Sequence, residues 1–154
     1  MPTRLSPHFS LEELTASQTA VREGIDNTPD AAARRNLARL AATLEDVRTL
    51  LGGVPIIISS GYRSPQLNRR VKGARNSAHM SGLAADFTAP AAGTVLQVAR
   101  RIAAADIAFD QLIHEYGAWV HLGLAAAESP PRRETLSIFR GTGYLPGLHK
   151  APPA

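Results

Sequence analysis

The segment Ser77-Ala78-His79-Met80-Ser81-Gly82-Leu83-Ala84-Ala85-Asp86 holds the side chains best suited to chemistry. His79 and Asp86 are metal-competent groups, and Gly82 between them lets the backbone return sharply. A passage from loop into strand can then bring imidazole and carboxylate onto one ion. A catalytic zinc needs a third protein ligand and an open fourth position for water. His121 is the best candidate: Val120, Leu122 and Leu124 alternate around it with apolar side chains that belong in a core, so His121 faces the other side of its strand. The chain has no cysteine, which excludes disulfides, thiolate zinc sites and cysteine nucleophiles, so any metal must rest on His, Asp or Glu. His8 and His149, near the termini, are read as incidental, and Asp106 and Asp110 as solvated loop residues.

The elements that must carry these residues follow from local patterns. Ser10 and Glu13 form a capping box opening a helix over 11–16. Residues 17–28 read as irregular. Thr28 as cap and Pro29 at the first helical position open a long helix, in which Leu37, Leu40, Ala41, Leu44, Val47 and Leu51 share one face until Gly52-Gly53. Residues 54–60 read as a buried strand and 65–71 as a short helix. A strand over 83–87, a helix built on Val95, Val98, Ala99 and Ile102, and strands over 109–115 and 119–124 joined at Gly117 complete the centre. A last strand is expected over 134–140. The alternation of helices and hairpin strands indicates an α+β fold.

Composition narrows the class. Of 154 residues, 44% are hydrophobic and 19% charged, which excludes a disordered chain or a fibre. The net charge is +4, and 15 of the 17 basic residues are Arg. The Arg pairs at 34–35, 69–70, 100–101 and 132–133 are scattered, and aromatics are only 5%. Solvated faces explain them better than a specific nucleic-acid site, which needs stacking platforms. No stretch approaches 18 apolar residues, so no membrane span is expected. The first residues lack an apolar signal core, and the expectation is synthesis in the cytoplasm without a cleavable signal.

The Ser77–Asp86 pattern, Ser-x-His-x-x-Gly-x-Ala-x-Asp, resembles the metal-binding signature of the M15 zinc peptidases, the D-Ala-D-Ala carboxypeptidase and dipeptidase group that includes phage endolysins. Ser60-Gly61-Tyr62-Arg63-Ser64-Pro65 resembles that family's upstream arginine motif. Gln111-Leu112-Ile113-His114-Glu115 with Trp119-Val120-His121 resembles its C-terminal hairpin. The resemblance covers about residues 5–125. It implies Zn²⁺ held by His79, Asp86 and His121, a site of net charge +1 that lowers the pKa of bound water towards about 7. It also implies that Arg63 binds substrate and polarises the scissile carbonyl, a role a planar guanidinium suits.

Peptide hydrolysis needs a general base. The family carries Glu three residues, or Asp two residues, before its last histidine. Here those positions are Ala118 and Trp119, a departure, and the nearest carboxylate is Glu115. If Leu112, Val120 and Leu122 share the core face, then Ile113, Glu115, Trp119 and His121 share the other, and Glu115 lies beside or diagonal to His121, within reach of a zinc-bound water. A one-residue slip puts His114 there instead. Ser77 either hydrogen-bonds the substrate or orients His79. Tyr62 and Trp119 wall the cleft or simply pack.

The combined expectation is a single domain over 1–140, with a small antiparallel sheet carrying the zinc site between helices, in the M15, hedgehog-like DD-peptidase fold, and a Gly/Pro-rich tail over 141–154. Its function is expected to be zinc-dependent hydrolysis of peptidoglycan stem peptides at the cell wall, at D-Ala-D-Ala or L-Ala-D-Glu, by a monomeric, phage-associated lysin without nucleic-acid partners. The alternative is a module of the same fold that holds zinc and binds the wall without catalysis.

Overall fold

A computed structural model describes residues 2–152 of the chain. It opens on a small hairpin, β1 (Arg4–Ser6) and β2 (Phe9–Ser10), that leads into α1 (Leu11–Thr15), where the Ser10 side chain accepts from Glu13 N. Residues expected to be irregular instead form α2 (Gln18–Glu23). The Ser17 side chain caps its first turn and Gly24, in the left-handed region, ends it, a start and a stop signal strong enough for one short helix. The long helix α3 (Ala31–Leu50) starts two residues later than expected: Asp30, not Thr28, is its cap and accepts from Ala33 N. Thr28 is drawn into a turn by Asp26, whose carboxylate accepts from Thr28 N at 3.0 Å. The apolar stripe of α3, Leu37, Leu40, Ala41, Leu44 and Val47, is wholly buried.

The next strand, β3 (Ile57–Ser60), is shorter than the apolar run suggested and lies at the sheet edge with Ile57 exposed. Pro55 lacks the N–H that a longer paired strand needs. After α4 (Pro65–Arg70), capped by Ser64, a 3₁₀ turn (Ala78–Ser81) leads into β4 (Ala84–Thr88). Then come α5 (Val95–Ala104), with a Thr94–Gln97 capping box, and β5 (Gln111–Glu115), β6 (Trp119–Gly123), β7 (Glu134–Ile138) and β8 (Leu145–Pro146).

The sheet order is β3-β4-β6-β5-β7-β8. The sheet is therefore six-stranded and mixed rather than small and antiparallel, because β7 pairs with β5 in parallel. Its core face carries Ala85, Phe87, Leu112, Val120 and Leu122, all buried, and α3 and α5 cover it. Period-two alternation then forces Asp86, His121, Ile113 and Glu115 to the opposite face.

Arginines fasten the connections. Asp110, expected in solvent, clamps Arg132 through two hydrogen bonds of 3.0 and 2.8 Å. Arg133 donates to the carbonyls of Ile107 and Ala103 and lies over the Phe109 ring. Arg101 and Arg39 donate to the carbonyls of Leu50 and Ala125.

Gly61, at the exit of β3, sits directly against α1: Tyr62 N donates to Leu14 O at 2.7 Å. A Cβ on Gly61 would collide with that carbonyl oxygen and come within 2.9 Å of its carbon. Gly61→Ala should destabilise the fold by about 1–3 kcal/mol, as overpacking does. Gly143→Ala, where an added Cβ meets nothing within 4 Å, should cost under about 0.5 kcal/mol. Urea unfolding of the two variants checks the contrast.

Candidate metal centre

His79 is placed by the 3₁₀ turn. Ser77 caps it, its hydroxyl accepting from His79 N at 3.2 Å, and Gly82 closes it at φ 71°. A Cβ on Gly82 would lie 2.5 Å from the Ala33 carbonyl oxygen, so only glycine lets the turn sit this close to α3. Asn36 Nδ2 also donates to Ser81 O at 2.8 Å. The imidazole is then only 2% exposed. Its Nδ1 lies 2.7 Å from the Gly61 carbonyl oxygen. A carbonyl can only accept, so Nδ1 carries the proton and the neutral ring keeps its lone pair on Nε2.

That lone pair points at Asp86. His79 Nε2 is 3.3 Å from Asp86 Oδ1, and His121 Nδ1 is 2.9 Å from the same oxygen. Asp86 and His121 are direct partners across β4 and β6. One ligand atom from each of the three residues lies within 4.8 Å of the others. A lone-pair nitrogen such as His79 Nε2 and a carboxylate oxygen repel each other unless a proton or a cation lies between them. Ligand atoms at tetrahedral positions around zinc, each about 2.0–2.1 Å from it, stand about 3.3 Å apart. The donor set and spacing therefore fit Zn²⁺, for which imidazole is a suitable ligand. The Gly61 carbonyl supplies the outer hydrogen bond that fixes ring and tautomer of a ligating histidine. Burial pushes the Asp86 carboxyl up, but the close approach of the His121 and His79 nitrogens overcomes it and holds the group well below the usual carboxylate range. It stays ionised, as a ligand must.

Glu115 pairs with Trp119 and Ile113 with His121. Glu115 therefore shares the face of the metal-competent cluster. His114 lies on the other face, buried, its Nδ1 donating to His149 O at 3.0 Å. Trp119 Nε1 donates to Glu115 Oε2 at 2.6 Å, which orients the carboxylate and leaves Oε1 uncommitted. Burial and the charge of Asp86 raise the Glu115 pKa, against the opposing fields of His121 and Arg63 and the indole hydrogen bond.

Arg63 is tied to the same turn, since Arg63 N donates to His79 O at 3.1 Å. Its Nη2 reaches Ser77 Oγ at 3.5 Å, and its buried Nε has no partner among the described residues. Burial lowers the Arg63 pKa, opposed by the charges of Asp86 and Glu115. Ser77 thus touches both His79 and Arg63. Tyr62 is only 6% exposed and packs in the core, offering a ligand little surface.

The structure therefore gathers His79, Asp86, His121, Glu115, Arg63, Ser77 and Trp119 around one face, with Tyr62 behind it. Sequence reasoning missed the Gly61 carbonyl, the indole bond to Glu115, and Tyr144, whose phenol pKa is raised by burial and by the charges of Glu115, Tyr116 and Asp86. Gly61 lay inside the motif already noted, whereas Tyr144 sits in a Gly/Pro-rich stretch with no periodic signal.

If the three residues hold zinc, the metal stabilises only the folded chain. At a free Zn²⁺ concentration 100 times the dissociation constant, the gain should be about 2.7 kcal/mol, seen as a raised melting temperature in calorimetry. In His79→Ala or Asp86→Ala the rise should vanish.

No helix among the described residues is long and apolar enough to cross a membrane. Residues 7–123, about three quarters of the chain, match the family described as Peptidase M15. The zinc D-Ala-D-Ala carboxypeptidase of Streptomyces albus G is 41% identical over 63 residues, covering 41% of this chain but only 25% of that protein's length. With the family's match spanning the cluster, the arginine motif and the hairpin, the chain belongs to the peptidase M15 family.

Proposed function

We propose that this protein is a zinc-dependent peptidase that hydrolyses the stem peptides of peptidoglycan. The observation that carries this reading is the convergence of His79, Asp86 and His121 within 4.8 Å on the sheet face shared by a half-buried, partly committed Glu115. Family membership supports peptidase chemistry. The cell-wall substrate is supported by the D-Ala-D-Ala carboxypeptidase activity of the Streptomyces relative and by a net charge of +4, which favours approach to an anionic wall. D-Ala-D-Ala and L-Ala-D-Glu are the bonds in view, and a phage lysin is the setting that best suits a small basic hydrolase.

His79, Asp86 and His121 would hold the metal. Zinc at such a site supplies Lewis acidity and makes hydroxide available near neutral pH. The chain's own residues do the rest. Arg63 orients the scissile carbonyl and stabilises the negative charge that develops on its oxygen. Ser77 steadies the Arg63 guanidinium and caps the turn that carries His79. Glu115 takes a proton on Oε1 from the attacking water as the new C–O bond forms. The same proton passes to the amide nitrogen as the C–N bond breaks, releasing an amine and a carboxylic acid. Burial suits Glu115 to both halves of this task, because a raised pKa makes it a better base and leaves the acid form accessible. Trp119 fixes which oxygen is available.

The competing reading is a zinc-holding wall module without catalysis, motivated by the missing carboxylate at Ala118 and Trp119. Glu115 on the cluster face supports the catalytic reading, because the hairpin register brings a carboxylate from farther back in the sequence onto that face.

Glu115→Gln should lower kcat on purified muropeptides by about 10²–10⁴-fold while zinc content stays at one per chain. Arg63→Met should lower kcat by about 10²–10³-fold, and His79→Ala should lose both metal and hydrolysis. Mass spectrometry of the products, with elemental analysis of each variant, reads all three. A wild-type protein that holds zinc yet cleaves no wall preparation would leave the module reading standing.

A further inference from the structure

The match to the family stops at residue 123, yet the sheet does not. β7 and β8 extend it beside β5, the strand that bears Glu115. Ile138 pairs with Glu115 and Ser137 with Leu145. Tyr144, one residue before Leu145, thereby falls on the same face and row as Ile138 and Glu115, and it is 59% exposed. The charges of Glu115 and Asp86 act on its phenol, in keeping with that placement.

Between the β5–β6 turn and the β7–β8 connection lies a groove of about 550 Å³, within the range that takes a multi-group ligand. Tyr116 and Trp119 form one wall, their rings 5.6 Å apart, and Phe139, Arg140 and Thr142 form the other. Trp119 belongs to both places, since its indole lines the groove and donates to Glu115. The groove is thus continuous with the face of the metal-competent cluster.

Its walls are fixed in advance. Tyr116 N donates to Ile138 O at 2.9 Å, and Thr142 Oγ1 accepts from Phe139 N at 3.0 Å. Phe139 packs edge-on against His114, which donates to His149 O, while Ser137 Oγ accepts from His149 N at 2.9 Å. Tyr116 is 50% exposed. Arg140 makes no ion pair or side-chain hydrogen bond among the described residues, unlike Arg132 and Arg133 just before it. A cation without a partner beside exposed rings suits a carboxylate carried on a chain with flat amide planes.

We propose that the segment following residue 123 builds a second binding subsite beside Glu115, in which Arg140 takes a free carboxylate of an acidic peptide and the Tyr116 and Trp119 rings pack on the chain that bears it. The inference rests on the stem-peptide reading above, since stem peptides carry free carboxylates away from the bond that is cut. It adds the residues that select them.

Trp119 is the sole tryptophan, so its fluorescence reports ligand in the groove or on the adjoining Glu115 face, and the Arg140 variants tell the two apart. The zinc-loaded protein is titrated with a stem-peptide fragment bearing a free glutamyl carboxylate, and with the same fragment amidated. The acid should shift Trp119 emission and bind about tenfold more tightly than the amide. Arg140→Ala should remove that preference and Arg140→Lys should restore part of it. In hydrolysis, Arg140→Ala should raise KM about tenfold for the acidic substrate, with kcat within twofold and the amidated substrate unaffected. Equal binding of acid and amide, silent Trp119 emission, or a kcat loss common to both substrates would overturn the subsite. Acid-selective binding without any hydrolysis would instead retain the subsite and remove the peptidase reading.

Discussion

A carboxylate buried between two imidazoles is the constraint around which the molecule is arranged. Asp86 is cut off from most of the solvent that would stabilise its charge, and burial alone would favour its neutral form. The nitrogens of His79 and His121 reverse that preference. For both to face one oxygen, three unrelated pieces of chain must be held in register. The β4–β6 pairing brings His121 opposite Asp86. The 3₁₀ turn brings His79 in from the side, and Gly82 allows that turn to touch α3. The Gly61 carbonyl then sets which nitrogen of His79 is free. The long helix thus does more than cover the sheet, because its Ala33 and Asn36 locate the turn from which His79 projects.

Much of this was visible in the chain itself because it is locally encoded. The cap at Ser10, the stripe of α3 and the alternation in β5 and β6 are patterns within a few residues of one another. The alternation was enough to frame the question of Glu115 against His114, since core demands on Leu112, Val120 and Leu122 leave only two registers. What was hidden depends on contacts far apart in sequence. The parallel pairing of β7 with β5 has no local signature, and neither has the exposure of Ile57 on an edge strand. The helix α2 had its signals in Ser17 and Gly24, but its short length hid them among polar residues. The side of Glu115 that is occupied by Trp119 follows only from the folded hairpin.

The basic charge has a structural explanation that composition could not give. Arg39, Arg101 and Arg133 cap backbone carbonyls, and Arg132 grips Asp110. These guanidiniums join connections to helices rather than forming one cationic stripe of the kind that tracks a nucleic-acid backbone. Arg63 and Arg140 differ from them. One is half-buried at the metal-competent cluster, its Nε without a partner among the described residues. The other is exposed at the rim of an aromatic groove.

The ligand shell of the metal itself is the most direct check on this account. X-ray absorption at the zinc edge of the purified protein should show one ion per chain with two imidazole nitrogens and one carboxylate oxygen at about 2.0–2.2 Å, plus a light-atom ligand from solvent. A shell without histidine scattering, or no stoichiometric ion after incubation with zinc, would contradict it.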